Sequence, residues 1–120
     1  MPNRKALGDW GEEQAARYLM LRGYRILERN YHSRYGEIDI IAARGGFVVF
    51  VEVKLRKSDR YGAAAEAVTA AKQEKVRTTA ILWLQARECR QQPRFDVMEI
   101  YAPEGEQTRR PVINHIENAF

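Results

Sequence analysis

A sequence of 120 residues with a formal net charge of +4, 45% hydrophobic and 30% charged residues is typical of one compact, mildly basic domain, here expected to span residues 1–120. Its single cysteine, Cys89, excludes an internal disulfide and a zinc site built from several cysteines. No apolar run is long enough to span a membrane and the first residues lack the apolar core of a signal peptide, so we expect a cytoplasmic protein.

The apolar periodicity predicts a mixed sheet flanked by helices, in the α/β class. Apolar residues recur at helical spacing in two segments and alternate, or run continuously, in the segments between and after them. The predicted helices are 9–22 and 63–88. The predicted strands are 24–32, 37–43, 47–55 and 94–102, with a short final strand or tail at 112–120. The element order is therefore α-β-β-β-α-β, followed by the short last strand.

Charged residues interrupt the two apolar strands on either side of the Gly-Gly turn at 45–46. Gly-Gly suits the positive φ of a tight hairpin turn, and a turn centred there pairs residues whose numbers sum to 91. Asp39 then faces Glu52, and Glu37 faces Lys54, with all four side chains on one face of the sheet. Two carboxylates about 5 Å apart, at an effective dielectric near 20, repel by about 3 kcal/mol. A shared proton or a cation would relieve this repulsion.

The apolar residues of the same hairpin support this register. One face receives Ile38, Ile40, Val49, Val51 and Val53. The charged face also carries Ile41, Val48 and Phe50. Apolar residues on both faces favour an interior strand over the alternative, an edge hairpin with a solvated face in which Glu37 pairs with Lys54 and Asp39 meets water.

A site for a divalent metal ion is the more specific functional interpretation of the two facing carboxylates. Carboxylate oxygens without Cys or His favour Mg²⁺ or Mn²⁺ over zinc. Lys54 lies two residues beyond Glu52 on the same face, where it could orient a water molecule or offset charge on a phosphate. Glu12 shares a helical stripe with Ala15, Ala16 and Leu19 and should point towards the sheet. The alternative for Glu12 is that it favours the positive end of the helix dipole.

Basic residues near these acids are candidates for phosphate binding. Arg56, Lys57 and Arg60 follow directly from the acidic strand and could hold backbone phosphates, or could form a solvated turn. Lys72 falls on the apolar stripe of the second helix, where a lysine either snorkels to water or is aimed at phosphate. The histidines, His32 and His115, show no ligand spacing and are expected on the surface.

Several stretches together resemble the YraN-like family of bacterial proteins over nearly the whole chain. They are GDWGEEQAARYLMLRGYRILERNY, GEIDIIA, VFVEVKLR, YGAAAEAVTAAK, RFDVMEI and HIENAF. That family is similar to the restriction-endonuclease-like, or PD-(D/E)XK, nuclease superfamily, and nearest in pattern to archaeal Holliday-junction resolvases. The resemblance implies a restriction-endonuclease-like core of order α-β-β-β-α-β. It also implies a catalytic set of Asp39, Glu52 and Lys54, a supporting glutamate at Glu12 and a basic position at Lys72.

Three functions are compatible with the residues. The leading hypothesis is an endonuclease that uses Mg²⁺ or Mn²⁺, held by Asp39, Glu52 and Glu12, to hydrolyse phosphodiester bonds. Branched or otherwise structured DNA is one candidate substrate, and the residues leave single strands, damaged DNA and RNA open. The second is a module that binds nucleic acid without cutting it, in which the acids pair structurally with Lys54. The third is a protein-interaction component. A homodimer is expected by analogy with the resolvases, whose junction substrate has two-fold symmetry.

Overall fold

A computed structural model describes residues 4–57 and 68–120, which form a five-stranded sheet with one long helix on each face. The elements are α1 (Arg4–Leu21), β1 (Arg25–Ser33), β2 (Gly36–Arg44), β3 (Phe47–Arg56), α2 (Ala70–Ala86), β4 (Gln92–Tyr101), a 3₁₀ turn (Gly105–Gln107) and β5 (Val112–Ile116). The strands lie in the order β1-β2-β3-β4-β5. All neighbouring pairs are antiparallel except β3 and β4, which are parallel. The predicted mixed α/β fold and its element order are confirmed.

The helices differ from their predicted bounds at their starts. Helix α1 begins at Arg4, five residues before the predicted start, in a segment where Lys5 and Asp9 form an ion pair one turn apart. Helix α2 begins at Ala70, and Thr69 caps it by accepting a hydrogen bond from the Lys72 amide. The predicted helical residues 63–67 lie outside the described residues. Among the described residues, neither helix is long and apolar enough to cross a bilayer.

The hairpin of β2 and β3 has the predicted register. Arg44 pairs with Phe47 and Ile40 pairs with Val51, so the paired numbers sum to 91. Gly45 adopts a φ of +58°, a left-handed conformation that glycine reaches without strain. A slip of one residue in β3 would exchange the residues that pack in the two cores and move Glu52 to the opposite face of the sheet.

Each face of the sheet has its own hydrophobic core. On one face, Ala15, Ala16 and Leu19 of α1 pack against the face of β2, β3 and β4 that carries Ile40, Val49, Val51 and Met98. On the other, α2 packs against Ile41, Val48 and Phe50 through Val76, Ala80 and Trp83. Strand β3 is therefore an interior strand buried on both faces, as its continuous apolar sequence predicted.

The alternation of faces breaks at Asp39. Ile38 packs in the α2 core and Ile40 in the α1 core, so the prediction that both share one face is wrong. The register of β1 with β2 passes from Arg29–Ile40 to Tyr31–Ile38 without pairing the residues between them. Asn30, opposite Asp39, has a φ of +52°, a left-handed conformation outside the range of regular strands. Asp39 therefore lies at an irregularity of the sheet.

Phe50 should contribute strongly to stability, because it is fully buried and stacks on Phe95 with ring centroids 5.5 Å apart. We expect Phe50→Ala to lower the free energy of unfolding by about 3–5 kcal/mol in urea denaturation. Phe47 lies on the same strand but is 41% exposed, and Phe47→Ala is the matched control. Equal losses in the two variants would contradict the assignment of Phe50 to the core.

Candidate functional site

Asp39 and Glu52 lie where the pairing of β2 with β3 ends. The paired positions run from Arg44–Phe47 to Ile40–Val51 and stop one residue short of the two acids. Asp39 Oδ2 instead accepts a hydrogen bond from the backbone N–H of Val53 at 2.8 Å, so a side chain satisfies a strand donor. Glu52 is only 6% exposed on a strand between two others, so the alternative of a solvated edge hairpin is wrong.

Burial and mutual repulsion make Asp39 an unusual acid. Burial, followed by the negative charge of Glu52, raises the pKa of Asp39 to about 7, and the hydrogen bond from Val53 only partly opposes this. The charge of Glu12 acts in the same direction. The predicted repulsion between the two sheet carboxylates is therefore present, although the strand ladder does not pair the residues.

Two lysines converge on one oxygen of Glu52. Lys72 Nζ lies 2.5 Å and Lys54 Nζ lies 3.6 Å from Glu52 Oε1. Burial, and then the charge of Lys72, lowers the pKa of Lys54 below the usual range for lysine. Glu37 is not opposite Lys54 as predicted. It is paired across β1 with His32, whose Nδ1 lies 3.2 Å from Glu37 Oε2.

Glu12 extends the acidic group from the α1 side. Ala15, Ala16 and Leu19 are buried against the sheet, which confirms the predicted stripe. The alternative based on the helix dipole is wrong, because α1 begins at Arg4 and Glu12 lies beyond its first two turns. Burial raises the pKa of Glu12, while a hydrogen bond with Asn30 opposes the shift. Its buried Oε2 has no hydrogen-bond partner among the described residues.

The chemistry of these donors fits a hard divalent cation. Carboxylate oxygens are the ligands that Mg²⁺ and Mn²⁺ prefer, and a buried oxygen without a partner, such as Glu12 Oε2, is where a cation or a proton would be stabilising. Within residues 4–57 and 68–120, no group of three His, Cys, Asp or Glu side chains is placed to hold a metal ion as it stands. A cation would therefore require the carboxylates to rearrange, and Glu52 Oε1 to separate from Lys72.

The residues predicted to bind phosphate differ in their contacts and exposure. Arg56 Nε lies 3.2 Å from Glu99 Oε2, so this arginine is bound to a fully buried carboxylate. Lys57 is exposed, and Lys72 contacts Glu52. Arg60 lies outside the described residues. Of these residues in the described part of the chain, Lys57 and Lys72 are more exposed than Arg56.

A second buried network was missed by sequence reasoning. Asp96 is fully buried and accepts two hydrogen bonds from Arg94, at 2.9 and 2.8 Å, and one from the Asn118 amide. His115 Nε2 lies 2.7 Å from Asp96, so the expectation that His115 lies on the surface is wrong. These partners outweigh burial and lower the pKa of Asp96. The signal available in the sequence was an aspartate inside the apolar run of β4.

The chain is similar to known bacterial proteins over nearly its whole length. The sequence model of the Uncharacterised protein family UPF0102 matches residues 11–100, a stretch that contains Glu12, Asp39, Glu52, Lys54 and Lys72. Similar proteins include the UPF0102 protein of Syntrophomonas wolfei, 48% identical over 122 residues, with 97% of this chain and 98% of the relative covered. The UPF0102 protein of Rhodococcus opacus is 47% identical over 121 residues, with 100% of both chains covered.

The raised pKa of Asp39 predicts a pH dependence of stability. The folded protein binds this proton more tightly than the unfolded chain, so the contribution of Asp39 to stability is greatest below about pH 4, falls as the pH rises from about 4 to 7, and then levels off. From pH 5 to pH 8, we expect the free energy of unfolding of the metal-free parent to fall by on the order of 2 kcal/mol more than that of Asp39→Asn. Urea unfolding in EDTA measures this difference.

The control for this measurement is Glu106→Gln, which removes an exposed negative charge from the 3₁₀ turn. Its stability should follow that of the parent protein across the same pH range. A constant difference between the parent and Asp39→Asn from pH 5 to 8 would contradict the raised pKa.

Proposed function

The chain belongs to the Uncharacterised protein family UPF0102, the YraN-like family, and we propose that it is a metal-dependent endonuclease that hydrolyses phosphodiester bonds in branched or otherwise structured DNA. The observation that carries this proposal is the pair of a half-buried carboxylate, Asp39, and a buried one, Glu52, beside two lysines at the end of a strand ladder. Such an arrangement is costly for a purely structural role, because like charges in a low-dielectric environment repel strongly.

Asp39, Glu52 and Glu12 would hold Mg²⁺ or Mn²⁺. When bound, such an ion supplies Lewis-acid polarisation of a phosphate and a nucleophile at neutral pH. Asp39 is held in place by the Val53 amide and would present its other carboxylate oxygen to the site. Glu12 would approach from α1 with an oxygen that no described residue binds.

The lysines would act on the phosphate and on the attacking water. Lys54 lies on the face of β3 that carries Glu52, and its lowered pKa brings it closer to neutrality than an exposed lysine. It would orient water or offset the charge that develops on the scissile phosphate. Lys72 and Lys57 would contact backbone phosphates, and Arg60 is proposed for the same role from sequence alone. Arg56 would keep its contact with Glu99 and would have a structural role near the site.

The alternative, a module that binds nucleic acid without cutting it, is favoured by a specific observation. Glu52 is already neutralised by Lys72 and Lys54, which is how a structural ion pair would appear. In that case the lysines neutralise the carboxylates, and the carboxylates do not bind a metal ion. Binding of DNA that weakens steeply with salt, without turnover in Mg²⁺, is the expected behaviour of such a module.

A homodimer is proposed together with the branched substrate, because a four-way junction has two-fold symmetry and a symmetric dimer presents two active sites to it. Sedimentation velocity with and without a four-way DNA junction measures this. A monomer under both conditions would contradict the dimer without affecting the proposed chemistry.

The proposed function predicts that Glu52→Gln lowers Mg²⁺-dependent cleavage of DNA by about 100-fold or more, because the variant keeps the side-chain shape and loses the negative charge. Cleavage of a labelled four-way junction, a single strand and a duplex, each with Mg²⁺ or Mn²⁺, provides the measurement. Binding of the same DNA, followed by fluorescence anisotropy, should persist in the variant.

The matched control is Glu88→Gln, which removes an exposed carboxylate beyond the end of α2 that lies away from Lys72. It should cleave as the parent does. Cleavage by Glu52→Gln equal to that of the parent would overturn the nuclease proposal. Binding without cleavage by the parent on all three substrates and with both metals would favour the non-cutting module.

A further inference from the structure

Lys72 occupies the position of a cation on Glu52. Its ammonium nitrogen is 2.5 Å from Glu52 Oε1, closer than that of Lys54 at 3.6 Å. A divalent ion bound by the same oxygen would carry positive charge into the same space, and the two cations would repel each other. Lys72 and a metal ion therefore compete for Glu52 in the arrangement that the structure shows.

Lys72 also borders a space that an anion could enter. A cavity of about 260 Å³ lies between the start of α2 and the β1–β2 turn, and two lysines, Lys72 and Lys75, and one acid, Glu37, are among the residues that line it. The Lys72 side chain is 41% exposed, and its four-carbon stem allows the ammonium group to swing between nearby partners. Lys54 is a poorer candidate for such movement, because its side chain is more buried within the sheet.

We propose that Lys72 exchanges between two partners: Glu52 in the free protein, and a backbone phosphate of nucleic acid once that phosphate enters the cavity beside α2. This exchange rests on the proposed function. It adds to that function a link between the two binding events, because nucleic acid that binds Lys72 releases Glu52 for the divalent cation. Lys72 is thus a positioning residue that couples the two ligands.

The charges explain why each ligand favours the other. Phosphate binding that draws Lys72 away leaves Glu52 beside Asp39 with less compensation, a state that a divalent cation stabilises. Cation binding first would leave Lys72 without its carboxylate, a state that a phosphate stabilises. The coupling is reciprocal by thermodynamic linkage, and couplings of this kind typically change affinity by about 5- to 150-fold.

The experiment measures Mn²⁺ affinity by electron paramagnetic resonance of the free aqueous ion, with and without a four-way DNA junction, after subtraction of Mn²⁺ bound by DNA alone. We compare the parent with Lys72→Met, which removes the ammonium group. Lys75→Met is the matched control, because it removes a lysine from the same cavity and the described residues show no contact between Lys75 and Glu52. Lys72→Gln replaces Lys72→Met if circular dichroism shows that the methionine variant does not fold.

The exchange predicts three results. DNA should tighten Mn²⁺ binding to the parent by at least about 5-fold. Without DNA, Lys72→Met should bind Mn²⁺ at least about 5-fold more tightly than the parent does, because the competing ammonium is gone. When each variant is saturated with DNA, Lys72→Met should show little further gain, while Lys75→Met, which keeps the ammonium group on Glu52, should retain the response of the parent to DNA.

Two contrary results have different meanings. Mn²⁺ binding that depends on Glu52, as tested with Glu52→Gln, but that neither DNA nor Lys72→Met alters, would overturn the exchange and leave the nuclease proposal standing. Absence of Mn²⁺ binding in the parent and in Lys72→Met, with or without DNA, would overturn both.

Discussion

The hydrogen bond from the Val53 amide to Asp39 is the interaction on which the site depends. It replaces a backbone pair at the point where β2 and β3 cease to form a ladder, and so it ends the sheet pairing without leaving a strand donor unsatisfied. The same bond holds an acid close to Glu52 in a buried environment. Burial and the negative charge of Glu52 raise the pKa of Asp39, and this hydrogen bond offsets them only in part.

The rest of the fold partly or fully buries the repelling carboxylates and places the two lysines beside them. Strand β3 is buried on both faces by α1 and α2, so Glu52 has little access to water. The start of α2 provides Lys72, and the face of β3 that carries Glu52 provides Lys54. Removing either lysine would leave a buried carboxylate with less compensation, whereas replacing the acids by neutral residues would relieve the repulsion at the expense of the proposed chemistry.

A second buried acid shows how a structural carboxylate differs. Asp96 is also fully enclosed, yet Arg94, His115 and the Asn118 amide satisfy it and lower its pKa. Asp39 and Glu12 have raised pKa values, and Glu12 has an oxygen that no described residue binds. The contrast within one sheet supports a functional interpretation of the first group and a structural one of the second.

The sequence by itself determined the family, the α/β class, the element order and the register of the β2–β3 hairpin. These follow from local patterns, because a Gly-Gly turn favours a tight hairpin and a slip of one residue would move every side chain of one strand to the opposite face. The helical stripe that directs Glu12 towards the sheet is also a local pattern of the sequence. Tertiary structure alone decided the break at Asp39, the pairing of Glu37 with His32, the binding of Arg56 to Glu99 and the burial of His115. Each depends on which distant strand lies alongside, and a long side chain takes its partner from that neighbour. For the same reason the contact of Lys72 with Glu52 could not be read from helical spacing, which gives the direction of the side chain but not the charge that it meets.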